Sequence, residues 1–130
     1  MTMRVTRWIL GLAAMALIAW GAHRAMGWLR AATGCSNVIL SEAMTSDGKR
    51  TATVFERNCG ATTSFGRFVS VRLTKTAFDP EREDQYVFVI DGQPEVRIAW
   101  EGPDHLSVKF ASGRIVRQVL IWYGVTVLYD

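Results

Sequence analysis

The sequence predicts a mainly β protein in which an N-terminal transmembrane helix precedes a small antiparallel sheet or sandwich of six to seven strands. Three observations support this prediction. Residues 8–22 carry no charge, short runs of alternating apolar and polar residues recur after residue 50, and turn-forming residues separate those runs. We therefore expect two parts: residues 1–34 form a membrane anchor or signal segment with its stem, and residues 35–130 form a small β-rich domain.

The uncharged N-terminal run is typical of a segment that enters a membrane. Arg4 and Arg7 precede it, and its apolar residues are distributed all the way round a helix. Extended to residue 29, the segment approaches the roughly 20 residues that span a bilayer, with Arg24 near one end. We expect a single-pass protein of the bacterial inner membrane with its β domain on the periplasmic side.

Three other interpretations of this segment stay open. A signal peptidase can cleave after small residues within it, or the segment can be a buried helix of a soluble domain. The third alternative is a lipoprotein acylated at Cys35, which follows Gly34 directly.

The first two predicted strands form a hairpin around Cys59. Residues 46–49 read Ser-Asp-Gly-Lys, a composition typical of a tight turn. Residues 51–57 alternate and are rich in β-branched types, and residues 68–73 place Val69, Val71 and Leu73 on one face. The linker between them is small, polar and glycine-containing, so we expect a loop.

Later strands are predicted at residues 86–90, 96–101 and 106–110, with a last segment at 114–129 that Gly124 interrupts. Residues 119–123 are apolar on both faces, which predicts a central or covered strand. Trp122, Tyr123 and Tyr129 are either core aromatics or an aromatic binding surface. The charged stretch at 79–84 is interrupted by Pro80 and is typical of an exposed loop or one short helical turn.

Two cysteines, Cys35 and Cys59, lie 24 positions apart. In a small exported domain such a pair most simply forms a disulfide, which stabilises the fold by roughly 3 kcal/mol. The alternative is a reactive thiol at Cys59, for which His105 is the only histidine after residue 34 that can act as a base. His105 lies in a turn, so we predict no catalytic residue. No cysteines, histidines or carboxylates have the sequence spacing of metal ligands, so we predict no cofactor and no metal site.

Charge is unevenly distributed along the chain. Residues 1–35 hold four of the 15 basic residues and no acidic one, which leaves 11 basic and 12 acidic residues for the remainder. That remainder has neither a basic cluster nor an aromatic-interleaved basic stripe, so we predict no nucleic-acid partner.

The segment from Cys35 to residue 73 resembles a family of small bacterial proteins of unknown function. The residues that carry the resemblance are the Ser-Asp-Gly-Lys turn at 46–49 and the motif Cys59, Gly60, Ala61, Thr62, Thr63. The resemblance implies an N-terminal hydrophobic segment followed by a short β-rich domain, and it implies no catalytic residue.

These observations lead to three hypotheses about function. The first is a membrane-anchored envelope protein whose β domain binds or positions an envelope protein partner without catalysis. The second is a thiol-dependent redox protein or enzyme that uses Cys59, and the third is an inhibitor or immunity-type protein.

Overall fold

The computed structural model describes residues 2–60 and 63–130. The chain divides into two compact units, Met1–Gly34 and Cys35–Asp130. Within the described residues, the first unit contains the helix α1 (Thr2–Thr33), and the second contains nine β-strands and a short 3₁₀ helix (Glu83–Gln85).

Helix α1 is rich in alanine, leucine, methionine and arginine, which have high helix propensity. It ends immediately before Gly34, a residue type that commonly terminates helices. Side chains 11–26 are exposed. The Arg24 guanidinium lies 4.8 Å from the ring centroid of Trp20, one turn earlier, in a cation–π contact.

No helix among the described residues is both long and apolar enough to cross a membrane. The predictions of a transmembrane helix and of a single-pass inner-membrane protein with a periplasmic β domain are therefore wrong. Arg7 and His23 bound the uncharged run at fifteen residues, whereas about 20 consecutive apolar residues are needed to span the hydrocarbon layer.

The first sheet contains five antiparallel strands in the order β1-β2-β3-β4-β7. The strands are β1 (Ser36–Met44), β2 (Arg50–Asn58), β3 (Gly66–Leu73), β4 (Tyr86–Asp91) and β7 (Ile115–Gln118). The predicted hairpin is confirmed, because β2 and β3 pair antiparallel from Arg50 with Leu73 to Arg57 with Gly66.

The second sheet contains four strands in the order β5-β6-β9-β8. They are β5 (Val96–Trp100), β6 (His105–Phe110), β8 (Ile121–Trp122) and β9 (Val125–Tyr129). Strands β6 and β9 run parallel, whereas β5 with β6 and β8 with β9 run antiparallel. The last strand along the chain therefore lies inside this sheet and not at its edge.

A shared apolar core lies between residues of the two sheets. Its buried members are mostly valines from both sheets: Ala52, Val54, Val69, Val71, Val87, Phe88, Ile90, Leu106, Val108, Val125 and Val127. A second cluster lies on the opposite face of the first sheet, where Phe55, Tyr86 and Val89 pack with Phe68 and Phe78. The central strands of the first sheet are consequently covered on both faces.

Tyr129 connects the two sheets through its hydroxyl group. The hydroxyl lies 2.7 Å from the Val119 carbonyl and 2.9 Å from the Val87 carbonyl, to either of which it can donate, and it accepts from the Val119 N–H at 3.2 Å. Burial raises the pKa of Tyr129 to about 12, so the donor stays protonated near neutral pH.

Two predictions about the strands are wrong. Nine strands are present among the described residues, where six to seven were expected, because β1 was not recognised and residues 114–129 form three short strands. Residues 119–123 are not a covered strand. Leu120, Ile121 and Tyr123 are exposed, since β8 is a two-residue strand at the edge of the second sheet. The mainly β character of the domain is as expected.

We predict that Tyr129→Phe lowers the free energy of unfolding by about 1 kcal/mol at pH 7, because it removes a buried hydrogen-bond donor. The wild-type contribution should decline as the pH rises from about 10 toward 12, since the unfolded tyrosine loses its proton first. Urea unfolding of both proteins across this pH range measures the difference. If the difference in unfolding free energy between wild type and Tyr129→Phe stays constant from pH 10 to 12, the hydroxyl proton does not account for the stabilisation.

Candidate functional site

The disulfide between Cys35 and Cys59 extends the ladder between β1 and β2 by one position. Ser36 pairs with Asn58, and the two cysteines are the next residues outward, with their Cα atoms 3.9 Å apart. The predicted disulfide is confirmed. Because the bond occupies both sulfur atoms, Cys59 carries no thiol here and Cys35 has no sulfur free for an acyl chain.

The motif loop follows Cys59 directly. Gly60 has a φ of 105°, a conformation that favours glycine, and its N–H donates to the Asn58 side-chain oxygen at 3.1 Å. The Thr63 N–H donates to the Gly60 carbonyl at 3.2 Å. Ala61 and Thr62, the other two predicted motif residues, lie outside the described residues. The described part of the motif is therefore Cys59, Gly60 and Thr63, with a hydrogen bond between the last two next to the disulfide.

Arg57 organises the region around the disulfide. Its Nε donates to the Cys59 sulfur at 3.4 Å, and its Nη1 donates to the Pro80 carbonyl at 2.7 Å and to the Tyr86 hydroxyl at 3.2 Å. Its Nη2 donates to both carboxylate oxygens of Glu81, at 3.0 and 2.9 Å. This one side chain therefore ties the end of β2 to the charged loop and to the start of β4.

The surroundings of Arg57 and Tyr86 shift the pKa of each side chain. Burial raises the pKa of Tyr86, and the nearby charge of Arg57 offsets this only in part. Burial is the largest single effect on Arg57 and lowers its pKa, but the hydrogen bonds and charges of Glu81 and Tyr86 together outweigh burial, so the arginine pKa is raised. The Tyr86 hydroxyl also donates to the Pro80 carbonyl. At neutral pH, Arg57 is thus a cation and Tyr86 a neutral donor.

A groove with a volume of about 470 Å³ lies beside this cluster, and we call it the disulfide groove. Its apolar and aromatic surface comes from Phe68, Tyr86 and Val89. Its charged residues are of both signs: Arg57, Arg117, Glu83 and Asp91. The rings of Phe68 and Tyr86 meet edge to face with centroids 5.2 Å apart. A groove of this size accommodates a small ligand or a few side chains of a partner.

His105, the base considered for Cys59, does not lie near this cysteine. The Arg50 side chain donates to the carbonyl of Pro103, two residues before His105, so this histidine lies near the far end of β2 from Cys59. Nine strand residues separate those ends by roughly 25 to 30 Å. His105 instead contacts Asp104 at 2.7 Å on the surface. Among the described residues, no three His, Cys, Asp or Glu side chains are close enough to hold a metal ion.

No protein-family model, curated protein or solved structure matches the chain. The resemblance of residues 35–73 to a bacterial family therefore stays a prediction.

Sequence reasoning assigned no role to Arg57, Glu81 or Tyr86, which hold the groove together. The sequence shows an arginine at the end of a largely apolar strand and a stretch rich in acidic residues at 79–84. These two features could have suggested an ion pair. Alternation places Arg57 on the same face as Phe55 but does not indicate which of several carboxylates it binds. That pairing depends on where the 79–84 loop returns to the sheet.

We predict that replacing both cysteines, Cys35→Ser with Cys59→Ser, lowers the free energy of unfolding by roughly 3 kcal/mol, because the 24-position loop is no longer closed in the unfolded chain. Urea unfolding monitored by tryptophan fluorescence measures the loss. Reduced wild-type protein is the control and should match the double variant. Equal stability of oxidised and reduced wild type would contradict the prediction.

Proposed function

We propose that residues 35–130 form a non-enzymatic binding domain of the bacterial cell envelope, which holds another envelope protein through the disulfide groove. The main support for this proposal is the groove, in which hydrogen bonds fix the positions of Arg57 and Tyr86. Aromatic and arginine side chains dominate the binding energy of many protein interfaces. Their preorganisation lowers the entropy lost when a partner binds.

The compartment in this proposal rests on the disulfide. Such bonds persist in oxidising environments and are rare in the bacterial cytosol. Cys35 and Cys59 sit at adjoining strand ends, where their bond closes the ladder between β1 and β2. An exported domain of about one hundred residues gains most from such a bond, because its core alone is small.

Strand β7 supports a specific mode of partner binding. It is the edge strand of the first sheet, all four of its residues are exposed, and Val116 and Arg117 line the groove. An extended partner segment that adds to this edge gains main-chain hydrogen bonds, while one of its side chains enters the groove. Charges of both signs line the groove, because Glu83 and Asp91 accompany Arg117, and Arg57 is paired with Glu81. A partner side chain that enters the groove therefore gains most from contact with its aromatic rings.

The other two hypotheses relate differently to this geometry. A thiol-dependent enzyme needs Cys59 as a thiolate, which the bond to Cys35 prevents until it is reduced. An inhibitor or immunity-type protein is one form of binding domain, in which the groove caps its partner.

We predict that Val116→Asp weakens partner binding at least about ten-fold, because it places a desolvated charge in the centre of the contact. The full chain is used to capture cross-linked proteins from envelope extracts, and the affinity of the identified partner is then measured with purified components. Val38→Asp is the matched control: Val38 lies on β1, at the other edge of the same sheet, and is 54% exposed compared with 57% for Val116. Equal loss, or no loss, in the two variants would contradict the proposal.

A further inference from the structure

A second pocket includes the first residue of β2, whereas the disulfide groove includes Arg57 near the end of that strand. The segment 82–86 borders both, with Glu83 in the groove and Gln85 in the second pocket. The second pocket has a volume of about 380 Å³, and we call it the arginine pocket. The side chains that give it chemical character are three arginines, one amide and two aromatics: Arg50, Arg72, Arg82, Gln85, Trp122 and Tyr123. This pocket shares no lining residue with the disulfide groove, so the inference below does not rest on the function proposed above.

The arginines leave this pocket with an excess of positive charge. Arg82 is neutralised by Asp84, which also lines the pocket, through hydrogen bonds of 2.8 Å. Arg72 binds Glu42 at 3.1 Å. Arg50 donates to the Pro103 carbonyl at 2.8 Å and forms no ion pair with the described residues. A guanidinium with spare donors beside an open pocket is a natural partner for a carboxylate or phosphate group.

Two buried polar atoms at this pocket have no protein partner. Gln85 is only 6% exposed, and its side-chain oxygen makes no hydrogen bond. The Nε of Arg72 is likewise buried and unbonded. Buried polar atoms in folded proteins are nearly always hydrogen-bonded, so the Arg72 Nε has a donor and the Gln85 oxygen an acceptor site to spare. Neither atom is open to solvent, so a molecule in the pocket reaches it only after the side chain rotates.

The aromatic side of the pocket is held in place. The Trp122 indole N–H donates to the Asp84 carbonyl at 2.8 Å, and the Tyr123 ring stands at 82° to the Trp122 ring with centroids 4.9 Å apart. Two perpendicular rings, of which one is anchored by a hydrogen bond, offer an apolar surface for the face of a ligand ring.

Tyr123 occupies a backbone position that does not suit it. Together with Gly124 it forms the two-residue turn between β8 and β9, and both residues have positive φ, 40° and 80°. Such turns favour Asn-Gly, so tyrosine at the first position is strained. The side chain is nevertheless 77% exposed, and its ring contacts that of Trp122. Backbone strain of this kind is concentrated at functional sites, and Tyr123 lines the arginine pocket.

We propose that the arginine pocket binds an acidic sugar, a hydroxylated ring that carries one carboxylate or phosphate group. The anionic group binds Arg50, the pocket arginine that has no ion pair among the described residues. A ring hydroxyl donates to Gln85, and the apolar face of the ring packs on Trp122 and Tyr123. This ligand class matches the pocket because it combines an anion, a hydroxyl donor and an apolar face in one small molecule.

Calorimetric titration of the full chain tests this proposal with four compounds: glucuronate, glucose 6-phosphate, glucose and inorganic phosphate. We expect at least one charged sugar to bind about ten-fold or more tightly than glucose and phosphate, and more weakly as salt is raised. The better of the two charged sugars identifies the anionic group. No binding of either charged sugar at about 10 mM, or phosphate binding as tightly, would overturn the proposal.

The variant Tyr123→Asn separates ligand binding from stability. We expect it to weaken sugar binding roughly five-fold while raising the melting temperature by a few degrees, because asparagine suits the turn and tyrosine does not. Arg50→Gln should weaken binding about ten-fold or more, and Arg97→Gln, which alters an exposed arginine outside the pocket, should leave it unchanged. If Tyr123→Asn binds the sugar as well as wild type does, the aromatic contact is refuted.

Discussion

The fold depends on burying strand β2 on both of its faces. Residues 51–55 are all buried: Ala52 and Val54 contribute to the core shared by the two sheets, and Phe55 packs with aromatic side chains on the opposite face. Each fully buried valine or phenylalanine contributes roughly 1.5 to 3 kcal/mol from the hydrophobic effect. A strand that is buried on both faces therefore runs between the two pockets, with Arg50 at one end and Arg57 near the other. Sites placed on rigid elements hold their geometry best.

The sequence was most informative where local chemistry decides the outcome. The hairpin of β2 and β3 was predictable from alternation and turn residues, and the disulfide from two cysteines in a small domain. The strand β1 was missed because Val38, Ile39 and Leu40 are consecutive apolar residues that break the alternation, where its pairing with β2 shifts register between Ile39 and Ser41. The membrane prediction failed because it extended an uncharged run of fifteen residues across His23 and Arg24.

The two pockets could not be predicted from the sequence, for a different reason. Arg57 meets Glu81, and Trp122 meets Asp84, through contacts that join segments 24 and 38 positions apart. Periodicity assigns a residue to a face of a strand but does not indicate which distant loop covers that face. Tyr123 is the instructive case: it was weighed as a core or a surface aromatic, and only its positive φ and its exposure distinguish the two.

The position of β9 inside the second sheet has a consequence for the order of assembly. Strands β1 and β2 are neighbours in sequence, so their ladder and its disulfide need only the first part of the domain. The second sheet, by contrast, is incomplete until residues 125–129 insert between β6 and β8. A chain that is synthesised or translocated from its N-terminus can thus form its covalent bond early, whereas its parallel strand pair forms last. Until then β6 is paired only with β5, and its other edge is open.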